Sequence, residues 1–275
     1  MTNNKTTPKA EEHQEIAEDN GYSMENALKF GWASVSGNLF PERVELLKKY
    51  VVGKTILDAG CGGGGYVDFL SRTGLDVTGV DKFGEFLSVA KNEVYQGKFY
   101  QADILDLPFA DKTFDTTFCF DVMEHVDDVK ALRELARVTR KRILIAVPAS
   151  ASELLLSHGL TTFPYCDQTH LRYYTEKSLL ELSKIISPND VDVFPSNPID
   201  FGRLVDSMLV KENVGVFASR IGKSEPNWRK RELKRIILSS ITRIPIVQKM
   251  FRPLYTTNLS YKTIYSDLVC VIDLD

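Results

Sequence analysis

The sequence predicts an α/β fold: a parallel sheet with helices on both of its faces. Three observations predict it. Between Lys54 and Pro148, short apolar runs alternate with helix-patterned runs at a spacing that suits strand–helix units. The first apolar run passes directly into a glycine-rich loop, LDAGCGGGG, at residues 57–65. Each of the first four apolar runs ends at or beside an aspartate: Asp58, Asp81, Asp103 and Asp121.

Residues 1–20 are polar and rich in Thr, Asn, Lys and Glu, and they read as a loosely held tail. The stretch 21–53 reads as an N-terminal helical lid. It gathers Tyr22, Phe30, Trp32 and Phe40, then starts a helix at Pro41 with Val44 and Leu47 at helical spacing. KTILDAG is the first strand, followed by the glycine loop. YVDFLSRTG is a helix that stops at Gly74. DVTGVD is the second strand, EFLSVAKNE a helix, KFYQAD the third strand and FDTTFCFD the fourth. DVKALRELARVT is an amphipathic helix with Val129, Leu132, Leu135 and Ala136 expected on its buried face. RILIAVP is the fifth strand. The rhythm breaks at 149–174 and resumes in TEKSLLELSKII, a helix with Thr175 as N-cap. VDVFP is a candidate sixth strand, and YSDLVCVIDL closes the chain as the last one.

Composition limits the rest. With 43% hydrophobic and 26% charged residues the chain reads as an ordinary globular protein. No apolar run is long enough for a membrane helix, and the N-terminus has no apolar signal core. Cys61, Cys119, Cys166 and Cys270 are scattered without a CxxC pair, which fits a reducing compartment and a cytoplasmic location. The net charge of −3 hides an uneven spread: residues 201–262 are strongly basic, so the remainder is strongly acidic.

Gly60, Gly62 and Gly65 satisfy G-x-G-x-x-G, and Asp81 follows at the end of the second strand, a pattern that also suits a dinucleotide. The aspartates argue otherwise. In a parallel sheet the carboxyl ends of the strands line one crevice. A pyrophosphate there would meet repulsion of roughly 3 kcal/mol per charge pair at about 6 Å. A ligand carrying an ammonium and a sulfonium would be drawn in, and S-adenosylmethionine carries both with no phosphate. In that reading Gly60 and Gly62 let the backbone approach the methionine part. Asp81 accepts the two ribose hydroxyls and Asp103 the adenine amino group. Asp58 holds the loop or reaches the ammonium through water.

Read together, ILDAGCGGGG, VTGVD and ADILDLPFADKTFDTTFCFDVMEHVDD resemble the class I S-adenosylmethionine-dependent methyltransferases, in the ubiquinone/menaquinone-pathway branch (methyltransferase type 11/23). The resemblance is strong over about residues 40–150 and loose over 160–190. It implies a Rossmann-like, seven-stranded, mostly parallel sheet whose last strand is antiparallel. On that frame 54–199 is the cofactor-binding core, 200–260 a basic helical insertion and 261–275 the final core strand. Cys61, Lys82, Ile104 and Phe120 join Asp58, Gly60, Gly62, Asp81 and Asp103 as the candidate cofactor set.

FDVMEHVDD is the second informative stretch. If a helix starts at Asp121, then Asp121, Glu124 and His125 share one face and offer ligands for Mg²⁺ or a similar divalent metal. Some O-methyltransferases that this chain resembles carry E-x-x-E-H here and a later histidine. DQTHLRYYTEKSL places His170 in that later role, and Asp121 stands in place of the first Glu. Two readings stay open. A metal on Asp121, Glu124, His125 and His170 would chelate neighbouring oxygens of a diol or catechol. Without a metal, His170 is the candidate base, with Glu124 and His125 packing and capping. His158 and Cys166 lie nearby with no spacing that singles them out. Tyr22, Phe30, Trp32, Tyr165, Tyr173 and Tyr174 are candidates for a lid over the reacting centre.

The basic stretch NWRKRELKRIILSSITRIPIVQKMFRPLY has Leu233, Ile236, Ile237, Ile241 and Ile244 at helical spacing behind Arg229, Lys230, Arg231, Lys234 and Arg235. It reads as a solvated basic helix face, or as an attractant for an anionic acceptor or an acidic membrane surface. No RNA-binding motif accompanies it, which argues against nucleic acid. The sequence-level expectation is a methyltransferase acting on oxygen of a small or lipid-linked acceptor (a sugar, polyol or phenol). A nucleotide-dependent oxidoreductase and a cofactor-sensing binding protein without turnover are the alternatives.

Overall fold

The computed structural model describes residues 38–93, 95–150, 169–198 and 265–275. The expected tail, the lid residues Tyr22, Phe30, Trp32 and Tyr165, His158, Cys166 and the basic insertion lie outside the described residues.

A helix α1 (Pro41–Tyr50) leads into β1 (Thr55–Ala59), α2 (Gly65–Ser71), β2 (Asp76–Asp81), α3 (Gly84–Asn92), β3 (Lys98–Gln101) and β4 (Phe114–Phe120). A 3₁₀ turn (Met123–His125), α4 (Asp128–Val138), β5 (Thr139–Pro148), α5 (Glu176–Ser183), β6 (Asp190–Pro198) and β7 (Tyr265–Asp273) complete the order. The strands form one seven-stranded sheet in the order β3-β2-β1-β4-β5-β7-β6. The pairings among β1–β5 are parallel, and β7 runs antiparallel to both β5 and β6. This is the mixed sheet the sequence led one to expect.

Alternation along the strands divides the core. Leu57, Cys119, Ile143, Ile145 and Val147 point to one face, where Ala131, Leu132, Leu135 and Val138 of α4 and Leu179 of α5 cover them. Ile56, Phe118, Leu144 and Ala146 point to the other, against Leu47 of α1, Val67 and Leu70 of α2 and Leu87 of α3. Fully burying one such side chain contributes about 1.5–3 kcal/mol, so both helical layers are firmly held to the sheet.

Local signals set the helix ends. Asp127 caps α4 by accepting from Lys130 N–H at 3.1 Å. Thr175 caps α5 in a reciprocal box with Ser178. One expectation is corrected. The buried stripe of α4 is Ala131, Leu132, Leu135 and Val138, while Val129 is exposed. Val129 lies well over a quarter-turn from the centre of that stripe, too far round to reach the sheet.

The chain leaves β1 toward β2 on one side, and returns to β4 on the other. The crevice beyond the carboxyl ends of β1 and β4 is therefore the switch point at which such sheets bind ligands. Because β7 is antiparallel, its first residues reach the same edge, and Asp267 sits opposite Pro148 there. Among the described residues no helix is long and apolar enough to cross a membrane.

Candidate active site

The floor of the crevice is the glycine loop. Gly60, Gly62 and Gly64 all have positive φ, which L side chains rarely adopt. The N–H groups of Gly60 and Cys61 both donate to Val80 O at 2.8 Å, tying the loop to β2. A Cβ on Gly60 would stand 2.3 Å from Val122 Cγ2, so glycine is needed for space as well as for conformation. Cys61 is buried beneath the loop, where its Sγ and Val67 close over Gly79.

Asp81 ends β2 and organises the loop from the side. Its Oδ2 accepts Gly62 N–H at 2.8 Å and its Oδ1 accepts Phe83 N–H at 2.9 Å. Each carboxylate oxygen keeps a second lone pair. Asp58, on β1, is 2% exposed and its Oδ2 has no hydrogen-bond partner. Burial pushes the Asp58 carboxyl well above its usual range, and the charge of Asp81 adds to that. Burial also raises Asp81, against the pull of its two N–H donors.

Asp103 lies two residues beyond β3, more open than the others. Its Oδ1 accepts Leu105 N–H at 2.9 Å, and its Oδ2 pairs with Lys82 at 3.3 Å. Ile104, beside it, is buried. Phe120 ends β4 in a cluster with Tyr66 and Phe118. The Arg43 guanidinium sits 5.3 Å from the centre of the Phe120 ring.

The turn after β4 departs from the expected helix. Asp121 has φ 57°, and only Met123–His125 form a single 3₁₀ turn. The helical face shared by Asp121, Glu124 and His125 therefore does not form. Two contacts hold Asp121 in this conformation: its N–H donates to Ala146 O at 2.8 Å, and its carboxylate meets Arg43 Nη2 at 2.9 Å. Arg43 Nη2 also meets Asp267 Oδ2 at 3.2 Å, while Arg43 Nη1 is buried with no hydrogen-bond partner. Burial lifts Asp267 to about 6 although Arg43 pulls it down, and Asp121 adds to the rise.

Glu124, His125 and His170 come together instead. Their candidate ligand atoms all lie within 4.8 Å of one another. Glu124 is buried, and its Oε2 has no hydrogen-bond partner. Burial drives its carboxyl well above the usual range, with Asp121 the next cause. His125 Nδ1 lies 3.1 Å from Thr169 Oγ1 and 3.3 Å from Thr169 O. The His125 and His170 rings meet edge-on with centres 4.6 Å apart, and Tyr173 packs on His170 at 5.5 Å. Tyr174 is corrected from lid to core, since it is buried with its hydroxyl turned to Asp128 and Met123 O.

Arg43, Tyr66 and Asp267 are neighbours of the site that sequence reasoning missed. No local pattern marks them. The pairing of β7 with β5 brings Asp267 to the crevice, the packing of α1 brings Arg43, and Tyr66 comes from the first turn of α2. The carboxylates there raise one another: Asp81 acts on Asp58, and Asp121 acts on both Glu124 and Asp267. A cationic ligand would relieve that repulsion.

Comparison with known proteins agrees in kind. A family described as a methyltransferase domain matches residues 57–147. An uncharacterised protein of Methanocaldococcus jannaschii is 34% identical over 164 residues, covering 58% of this chain and 68% of that protein. A ubiquinone biosynthesis O-methyltransferase of Coxiella burnetii is 35% identical over 94 residues. That match spans 32% of this chain and 40% of the Coxiella protein. The crystal structure of an S-adenosylmethionine-dependent methyltransferase from Archaeoglobus fulgidus superposes with a TM-score of 0.54 at 16% identity. It covers 89% of this chain and 99% of the other, a likeness of fold.

Proposed function

This chain belongs to the class I S-adenosylmethionine-dependent methyltransferases, and from that premise we propose that it methylates an oxygen of a small-molecule acceptor beside Glu124, His125 and His170. The observation that carries this reading is the meeting of a glycine loop with a carboxylate-lined crevice, and of that crevice with the Glu124–His125–His170 group. The Coxiella relative, named as an O-methyltransferase, supports oxygen as the methylated atom.

In this reading the loop backbone at Gly60, Cys61 and Gly62 faces the methionine part of the cofactor. Asp81 accepts the ribose hydroxyls on its remaining lone pairs, and Asp103, with Lys82 and Ile104 beside it, borders the adenine. Phe120 walls the sulfonium side. Asp58 would gain negative charge as the ammonium arrives, the cation offsetting the burial that holds its carboxyl above the usual range. Transfer is a direct displacement. An acceptor oxygen forms a bond to the methyl carbon as the carbon–sulfur bond breaks, and the electron pair stays on sulfur as a neutral thioether. The acceptor's proton passes to His170. Positioning and exclusion of water do most of the work in such a step.

The same three side chains fit a divalent cation, because two imidazoles and a buried carboxylate oxygen lacking a partner form a suitable donor set. Bound there, such an ion would polarise an acceptor hydroxyl. Asp121 stands outside this set, committed to Arg43. A lipid-linked acceptor, with the basic residues 200–260 drawing in its anionic part, is the extended form of the proposal.

The test is transfer of a labelled methyl group to a panel of catechols, polyols and amines, with and without a chelator. O-methylated product that disappears in His170→Asn supports the reading. Methylation confined to nitrogen would overturn it, and activity indifferent to chelator would remove the metal while leaving His170 as base.

A further inference from the structure

We propose that Arg172 is the positioning residue of His170, acting through the segment that it fastens rather than on any reacting atom; this rests on the role given to His170 above.

His170 lies in the stretch Thr169–Tyr174. That stretch belongs to no helix or strand, apart from a single bridge between Tyr174 and Ala149. Nothing periodic fixes its path, so its place depends on individual contacts. Several of those contacts go to the segment Met123–Asp128 after β4, while Ser150 N–H holds Tyr174 O beside the bridge. Leu171 N–H donates to Glu124 O at 2.8 Å, and Thr169 meets His125 Nδ1. Arg172 Nη1 donates to Met123 O at 3.2 Å and also to Val126 O. Arg172 Nε faces Asp128 Oδ2 at 3.5 Å.

The reason is the shortness of the 3₁₀ turn. A three-residue turn leaves its carbonyls without acceptors' usual partners inside the helix. Two of them, those of Met123 and Glu124, are taken up by the 169–174 stretch together with that of Val126 just after the turn, and Arg172 donates to two of the three, sharing Met123 O with the Tyr174 hydroxyl. The guanidinium therefore sets the spacing between the turn carrying Glu124 and His125 and the stretch carrying His170. The Tyr174 hydroxyl lies 3.0 Å from Asp128 Oδ2 and 3.2 Å from Met123 O, sharing both acceptors with Arg172, and the far end is anchored independently by the Ala149 bridge and by Ser150 N–H on Tyr174 O. Loss of the Arg172 contacts would free the His170 end while the backbone pairing with 149–150 keeps Tyr174 in the core.

The geometry provides a direct readout. His170 has the His125 ring at 4.6 Å and the Tyr173 ring at 5.5 Å, so ring currents displace its ring-proton resonances. The chain has only 4 histidines, and His170→Asn assigns the signal. In Arg172→Met, which keeps the stem and removes the donors, the His170 resonances should move toward the unfolded-chain position. Arg172→Lys should bring them back. Transfer to a catechol probe should fall on the order of 100-fold in Arg172→Met with the KM for S-adenosylmethionine unchanged.

Wild-type resonance positions in Arg172→Met would overturn the proposal, as would equal displacement in Arg172→Lys. If the Met variant does not fold, Arg172→Gln against Arg172→Lys decides by the same criterion. Displaced resonances with undiminished transfer would leave the positioning intact and overturn instead the part given to His170 in catalysis.

Discussion

At Gly60 a methyl group would sit 2.3 Å from Val122 Cγ2, on a backbone whose φ is 89°. Gly60→Ala therefore meets two penalties that do not share a remedy. The left-handed conformation alone costs about 1–2 kcal/mol, and the clash adds to it. Denaturant titration should find Gly60→Ala destabilised by at least that amount. Gly60→Ala with Val122→Ala should recover only part of the loss, since the second change relieves the contact and not the φ. Asp81 is the complementary case, a carboxylate that we propose receives the ribose. Its two oxygens are fixed by Gly62 and Phe83 N–H groups before any ligand arrives. Asp81→Asn keeps the outline, loses the anion and sets an amide NH2 against one of the two N–H donors. Affinity for S-adenosylhomocysteine should fall about 10- to 100-fold by calorimetry, the worth of one or two hydrogen bonds to a charged group. An unchanged affinity would place the ribose elsewhere.

The strand-end aspartates and the glycine loop were legible in the sequence because each belongs to a local pattern. The conformation of Asp121 was not. A helix start at that point satisfies the local pattern, but the bond to Ala146 O and the pairing with Arg43 hold the residue at positive φ. Both partners are distant in sequence, so no window of residues could reveal them. Val129 failed for a milder reason: two nearby apolar stripes suit α4, and only packing on the sheet selects one. The opposite edge of the sheet offers an element-scale prediction. Asp115, on β4, accepts the N–H groups of Lys54 and Thr55, and Arg140 and Lys141 pair with it. The Lys54 N–H is the largest cause holding this carboxyl well below its usual range. A carboxyl lowered in the folded state stabilises at neutral pH, and that stabilisation is lost as pH falls below about 4. Asp115→Asn should lose about 2–3 kcal/mol at pH 7 and show a flatter decline in stability across the acid range. An equally steep acid decline in the variant would assign the acid sensitivity to other carboxylates.

Over the whole molecule, the sheet order turns scattered acidic residues into one rim. β1, β2 and β4 bring Asp58, Asp81 and Asp121 to a common edge, and the antiparallel β7 delivers Asp267 to the same place. The sequence revealed the first three, since each closes a strand unit. Asp267 stayed hidden because an aspartate near the start of a final strand has no meaning until that strand's direction and register are known. His170 was legible from its motif, whereas its contact with His125 depends on the stitching of 169–174 to the turn after β4. The central claim is that this rim selects a sulfonium-bearing methyl donor over a phosphorylated coenzyme. Calorimetric titration of the purified protein with S-adenosylmethionine and, separately, with NAD⁺ at the same concentrations tests it most directly. Saturable binding of S-adenosylmethionine with no heat from NAD⁺ is the expected result. Tight uptake of NAD⁺ with none of the sulfonium compound would contradict the account.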